Sequence, residues 1–347
     1  MTPNAAVGYA VVGLGWISQA AVLPAFANAR RSSRLAALVS GDADKRRGLA
    51  RRYDLPGDAT FDYDDYDACL DRDDVDAVYI ALPNHLHREY TVRAAEKGVH
   101  VLCEKPMAPA VDDCRAMIDA CRDNGVKLMI AYRLHLDPGH LRAVELATTG
   151  AIGDPRAFTA TFTEQVDADN SRLVSVDEGG GPVFDLGVYC INAARYLFRA
   201  EPERVWATRV SRRGDPRFGE SEEMATCVLA FPGERHASFT CSFGAAPVSA
   251  FRLVGTEGDL RMEENAFDFR GDRELRVAGK AELREGFGAS DQFGPQLAYF
   301  SDCILEDRDP EPDGEEGRID VMLVRALYES MESGRPVEVE DADAPGE

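Results

Sequence analysis

Two places in this sequence carry side chains suited to moving a proton beside a bound ligand. Lys105 follows the apolar run at residues 99–103 in the order Glu104-Lys105-Pro106. An ammonium at a strand terminus lends positive charge to a neighbouring acid or base, and the proline fixes the direction in which the backbone leaves. The chain holds only five lysines, at 45, 97, 105, 127 and 280, which sets this one apart from ordinary surface charge. The second place lies beyond the break Glu178-Gly179-Gly180-Gly181-Pro182, where residues 183–198 have helical spacing. Asp185 and Tyr189 are four apart in that pattern and so share one face. A phenol, a carboxylate and a cation are proton-transfer equipment.

The start of the chain must position such groups against a ligand. Residues 7–12 form a short apolar run that passes into Gly13-Leu14-Gly15-Trp16-Ile17-Ser18 and then into a helix-compatible stretch. A diphosphate has to approach this backbone closely, so side chains at Gly13 and Gly15 would collide with it, while the helix that follows offers free N–H groups. Ser18 stands where the G-x-G-x-x-G pattern has its third glycine. Residues 35–39 read as a second strand ending in Ser40-Gly41, where an NAD site places Asp or Glu to hold the ribose hydroxyl. Here a small hydroxyl is followed by Lys45 and Arg46, which suit a 2′-phosphate, so NADP is the expected cofactor.

Later strands deliver polar residues at their carboxyl ends, where ligands bind in open parallel sheets. The strand at 77–81 leads to Leu82, Asn84 and His87, the strand at 99–103 to Glu104 and Lys105, and the strand at 127–131 to Arg133 and His135. His85 and His87 have no carboxylate or cysteine at metal spacing, and no metal site is expected.

Composition bounds the rest. With 347 residues the chain has room for two domains, and 61 acidic against 39 basic residues give a net charge of -22, which argues against nucleic acid as a partner. The eight cysteines are scattered without a C-x-x-C pair and read as reduced, buried thiols. No stretch has the length of a membrane span, and Met1-Thr2-Pro3-Asn4 lacks the charge and apolar core of a signal, so a cytoplasmic protein is expected. Strand and helix alternate up to about residue 132; beyond it strands dominate, at 156–163, 204–212, 224–231, 236–243 and 251–262. Helices are expected at 293–305 and 319–333, with an acidic, proline-bearing loop at 306–317 between them. The expected class is α/β, with a Rossmann dinucleotide-binding domain at 1–132, a C-terminal α+β domain at 133–337 built on an open-faced, largely antiparallel mixed sheet, and an acidic tail at 338–347.

Taken together, GLGWIS, the Ser40-Gly41…Lys45 pattern, LPNHLH, HVLCEKP, YRLH, GGGPVFDLGVY and DPEPDGEEGRID resemble the glucose–fructose oxidoreductase, inositol dehydrogenase and MocA-like (Gfo/Idh/MocA) family over nearly the whole chain. The resemblance implies a nicotinamide-dependent oxidoreductase whose exposed sheet face joins subunits into dimers or tetramers. Tyr189 stands where inositol dehydrogenase-like members have histidine, which implies an aldopyranose substrate oxidised at its anomeric carbon to a lactone, as in xylose or glucose 1-dehydrogenases. Tyr189 is then the base, Lys105 favours its phenolate, Asp185 orients the sugar or the lysine, and His135 and Arg133 line the crevice. An unperturbed tyrosine is ionised about once in a thousand at neutral pH, which is why a cationic helper is needed. Few residues precede the first strand, so the cofactor-clamping arm of glucose–fructose oxidoreductase is not expected and NADP should exchange freely. Other chemistries compatible with the same residues are sugar–sugar oxidoreduction, keto-sugar reduction, inositol or polyol oxidation, and non-catalytic sensing of a nucleotide or sugar.

Overall fold

Six consecutive residues, Val7–Val12 (β1), are all buried, the mark of a strand covered on both faces. The computed structural model describes residues 6–279 and 282–339, and within them β1 is central to a parallel sheet. Its companions are β2 (Ser33–Val39), β3 (Thr60–Phe61), β4 (Ala77–Ile80), β5 (His100–Cys103) and β6 (Leu128–Ile130). The order is β3-β2-β1-β4-β5-β6 with every pair parallel, as a Rossmann sheet requires. Strand order reverses between β1 and β4, the point where such sheets bind ligands. The crossovers include the helices Ala43–Arg52, His87–Glu96 and Val111–Asp123.

The chain packs as two units, one comprising Met1–Leu136 with Asp291–Ile319, the other Asp137–Ser290 with the chain from Asp320 onward. Residues 291–319 thus return to the first unit, which a sequential division at 132/133 does not include. The helix Phe293–Leu305 belongs to this return and seats a buried polar trio. Ser301 Oγ lies 2.9 Å from the Tyr9 hydroxyl and 2.8 Å from Ser33 Oγ, so each is satisfied away from water.

The second unit is built on a nine-stranded sheet of order β14-β13-β12-β11-β7-β10-β9-β8-β15. Its strands are β7 (Pro155–Gln165), β8 (Arg204–Val210), β9 (Met224–Phe231), β10 (Arg235–Ser242), β11 (Gly244–Gly255), β12 (Asp259–Met262), β13 (Arg273–Ala278), β14 (Leu283–Phe287) and β15 (Val337–Glu338). Only β7 and β10 pair in parallel; the other neighbours are antiparallel, giving the mixed sheet expected. The helices Pro138–Thr148 and Val188–Phe198 pack against one another and on strands of this sheet. Trp206, Val210, Val248 and Val254 are exposed on its strands.

Several local expectations are corrected. The single strand expected at 251–262 is two, β11 and β12, joined by a tight turn in which the Gly255 N–H donates to the Gly258 carbonyl at 2.8 Å. Strands β13 and β14, absent from the sequence reading, extend one edge. The acidic loop expected to reach residue 317 ends earlier, because the helix Gly314–Ser333 begins inside it. Asp313 caps that helix, accepting from the Glu316 N–H at 3.1 Å. Its glycines are required by packing: a Cβ on Gly314 would stand 2.7 Å from Ile118, and one on Gly317 would stand 2.8 Å from Ile130. The tail expected from 338 starts later, since Glu338 pairs with Arg204 in β15; residues 340–347 lie outside the described residues. All eight cysteines are buried free thiols.

Candidate active site

The loop after β1 shows why its residue types are fixed. Gly13 has φ of +91°, and a Cβ there would lie 2.3 Å from the Ala81 carbonyl oxygen, so β1 can run this close to the end of β4 only with glycine. Gly15 is the opposite case, because a Cβ there would meet nothing within 4 Å. Open space against bare backbone at the switch point fits a diphosphate. Ser18 explains the departure from three glycines: its hydroxyl, fully buried, donates to the Gly13 carbonyl at 2.6 Å and closes the loop on itself. Trp16 projects outward at 60 % exposure, and Ile17 precedes the helical turn Ser18–Val22.

At the end of β2, Ser40 is buried and Gly41 faces the Tyr63 ring, 3.4 Å from where a Cβ would stand. The Tyr63 side chain hydrogen-bonds to Ser40, and burial pushes its phenol above the ordinary value. Arg46 Nη1 donates to the Ser40 carbonyl and, at 2.8 Å, to Asp62. Its bond from Arg46 holds the Asp62 carboxyl below the ordinary carboxylate range. Arg46, expected to face the cofactor, is largely covered and braces the strand end. Lys45 is more open, 3.8 Å from Asp42, whose carboxylate caps the helix by accepting from the Lys45 N–H at 2.9 Å.

The ends of β4 and β5 are tied together by His87. Its ring is fully buried, with Nε2 2.9 Å from the Leu82 carbonyl and Nδ1 3.2 and 3.1 Å from those of Pro106 and Met107. Burial holds the imidazole below its ordinary value, while its bonds to the three carbonyls favour the protonated form. His87, expected to contact the cofactor, joins the Leu82 loop to the segment after Lys105. Asn84 opens the short turn Asn84–Leu86 beside it. Glu104 accepts from the Tyr79 hydroxyl at 2.6 Å; burial raises its carboxyl, while Tyr79, Lys105 and Arg133 favour the ionised form. Lys105, half-buried, is joined to Pro106 by a cis peptide. Arg133 is buried and donates to Gln292, and His135, in the same turn, stacks on Tyr132 with centroids 5.7 Å apart. Glu104, Lys105 and Arg133 thus form one charged group in the first unit.

In the second unit Asp185 lies in a wide, π-type turn, Val183–Gly187, that leads into the helix Val188–Phe198 carrying Tyr189. Such turns recur at functional sites. Gly187 lets this helix approach β10, since a Cβ there would lie 3.2 Å from the Phe239 ring. The Tyr189 ring meets Phe162 edge-on at 5.7 Å and tilts toward Phe267 at 6.4 Å, giving the phenol an apolar wall. Asp185 is paired with Arg172. Neither Arg172 nor Tyr63 was singled out in the sequence. Tyr63 sits in an acidic, aromatic segment whose pattern says only "surface", and Arg172 reaches its partner across a loop that has no periodicity. Gln292 and Tyr79 were missed for the same reason: their contacts are long-range.

Known proteins resemble this chain over nearly its whole length. Residues 7–132 match the family model "Oxidoreductase family, NAD-binding Rossmann fold", and residues 140–261 match "GFO/IDH/MocA C-terminal domain". The chain is 33 % identical over 341 residues to D-xylose 1-dehydrogenase [NADP(+)] of Haloarcula marismortui, spanning 96 % of this chain and 93 % of that protein. Among solved structures it is similar to aldose–aldose oxidoreductase from Caulobacter crescentus, at 36 % identity and a TM-score of 0.91, covering 96 % of this chain and 100 % of that one. A 3-ketoreductase from Actinomadura kijaniata, crystallised with NADP and TDP-benzene, superposes with a TM-score of 0.83 at 27 % identity, over 94 % and 98 % of the two chains. With both domain models matched and relatives this similar over nearly their full length, the chain belongs to the Gfo/Idh/MocA oxidoreductase family.

Proposed function

We propose that this protein is an NADP-dependent sugar oxidoreductase that takes a hydride from the anomeric carbon of an aldopyranose of the xylose or glucose type and yields a lactone. The observation that carries this reading is the similarity, over nearly the whole chain, to an NADP-dependent xylose dehydrogenase and an aldose–aldose oxidoreductase. It agrees with a β2 end where Ser40, Gly41 and Tyr63 meet and Lys45 stands open.

When bound, NADP supplies the nicotinamide ring that accepts the hydride. Gly13, Gly15, Trp16 and Ile17 hold its diphosphate against the loop after β1, and Ser40, Gly41 and Lys45 meet its 2′-phosphate. Leu82, Asn84, Glu104 and Arg133 border the ring and its ribose. Tyr189 takes the proton of the anomeric hydroxyl as the C–H bond breaks, and Lys105 lends the positive charge that favours a phenolate. Asp185 and His135 bind sugar hydroxyls and fix which carbon reacts.

A second reading, in which one sugar is oxidised and another reduced by a retained cofactor, is favoured by the 36 % identity to the aldose–aldose enzyme. We read the protein as cytoplasmic and as a homodimer or homotetramer joined through the sheet face that exposes Trp206 and Val248. Among the described residues no helix is long and apolar enough to cross a membrane.

The test is nicotinamide absorbance on mixing the purified protein with NADP⁺ or NAD⁺ and a panel of aldoses and cyclitols. NADP⁺ reduction by xylose or glucose is expected. Reduction by cyclitols alone would replace the aldose reading with polyol oxidation. Silence with every sugar, in both directions and with sugar pairs, would refute it.

A further inference from the structure

Residues 166–182 leave β7 and return to the turn that carries Asp185, and one arginine in this segment makes contacts that a surface side chain does not. Arg172 Nη2 donates to Glu164 at 2.9 Å, and Nη1 donates to Asp185 Oδ2. Its Nε and its main-chain N–H both donate to Asn170 Oδ1 at 3.0 Å. The guanidinium lies over the Phe243 ring, 4.9 Å from its centroid. The Arg172 carbonyl in turn accepts from the Gly181 N–H at 3.2 Å, which ties the arginine to the glycine turn just before Asp185.

An exposed ion pair contributes little because two long side chains must be ordered to make it. Here the ordering is done by Asn170, Phe243 and Glu164, so the fork meets Asp185 already oriented. Charge sharpens the point. Two carboxylates, Glu164 on β7 and Asp185 on the helical turn, share one cation. Without it the two like charges repel, and Asp185 is expected to turn away from Glu164.

We infer that Arg172 is a positioning residue that holds the Asp185 carboxylate in the direction in which it meets the sugar. The inference rests on the sugar-oxidoreductase reading above. Arg172 acts through Asp185.

Steady-state kinetics with NADP⁺ and the best aldose test it. Arg172→Ala is expected to lower kcat/KM for the sugar about ten- to hundredfold and to leave KM for NADP⁺ within about twofold. Glu164→Gln alone should change kcat/KM by less than about threefold, because the fork keeps Asp185. In the double variant Glu164→Gln/Arg172→Ala the repulsion is gone, and about threefold or more of the lost activity should return. Arg172→Lys, which keeps the charge without the fork and guards against a folding defect in the alanine variant, should fall between wild type and Arg172→Ala. A double variant as impaired as Arg172→Ala, a fully active Arg172→Ala, or an equal loss in cofactor affinity would overturn the inference. A wild type that turns over no sugar would bring down the sugar reading itself, and this inference with it. An active wild type with an indifferent Arg172→Ala would overturn this inference alone.

Discussion

Arg46 Nη1 stands 2.8 Å from Asp62 Oδ2 and also bonds the Ser40 carbonyl, so the arginine nearest the end of β2 is neutralised and fixed by its own protein. Of Lys45 and Arg46, Lys45 is the more open, 3.8 Å from Asp42. Lys45→Ala should therefore raise KM for NADP⁺ about tenfold with little effect on NAD⁺. Ser40→Asp should reverse the preference toward NAD⁺, because a carboxylate there grips the ribose hydroxyl and repels a phosphate. Steady-state kinetics with both cofactors check this, and an unchanged NADP⁺ to NAD⁺ ratio in both variants would place the discrimination elsewhere.

Removing the proposed base and its helper should give different signatures. Tyr189→Phe keeps the contact with Phe162 but loses the hydroxyl, so kcat is expected to fall about 10²- to 10⁴-fold with NADP⁺ binding intact. Lys105→Met should abolish turnover and weaken cofactor binding without eliminating it, as followed by fluorescence titration. Normal turnover in either variant would remove that residue from the mechanism.

The fold contains a buried ion pair with a clear cost of disruption. Arg273 Nη2 lies 2.8 Å from Asp137 Oδ1, with both side chains fully buried, and His140 Nδ1 lies 3.0 Å from Asp137 Oδ2. Arg273→Ala should destabilise the protein by about 3–5 kcal/mol, because it strips the buried Asp137 carboxylate of its guanidinium while the contact with His140 remains. Denaturant unfolding at neutral pH measures this.

The same carboxyl predicts an acid response. Burial alone would raise the Asp137 value, but His140 and Arg273 more than offset it and bring it down to about 2. A carboxyl depressed in the folded state contributes stability that is present above its unfolded value near ~4 and is lost as pH falls toward ~2. Stability should therefore drop through that window, and the drop should be shallower in Asp137→Asn. An identical slope in the variant would assign the acid response to other groups.

The thiols should be chemically silent in the native state. Burial pushes Cys69, Cys114 and Cys121 up to about 12, and all eight side chains are covered. A chromogenic disulfide reagent should label none of them rapidly in the folded protein and all eight after denaturation. Fast labelling of even one native thiol would contradict the packing described.

What the sequence displayed and what it hid follow from which contacts are local. Strands β1 and β4 were legible because each is buried along its whole length and reads as an unbroken apolar run, whereas β3, two half-buried residues, carried no such signal. β13 and β14, near the sheet edge, read RELRVA and LREGF; their charged outward positions mask the alternation. The glycine loop and the strand-end residues Glu104 and Lys105 were visible through motif and position. The setting of His87 was hidden because nothing local reveals that three carbonyls, two of them about twenty residues on, enclose its ring. Tyr63 and Arg172 escaped for the same reason, since their partners Ser40 and Asp185 lie across turns and loops.

The most direct test of the central claim follows the hydride itself. D-xylose or D-glucose carrying deuterium at the anomeric carbon is mixed with the protein and NADP⁺, and both products are analysed by mass spectrometry. The account predicts that the deuterium moves to the nicotinamide while the sugar appears as its lactone, or as the aldonic acid formed from it. Reduced cofactor without deuterium, with the label still on the sugar, would show that another carbon is oxidised and would contradict the assignment of the anomeric centre.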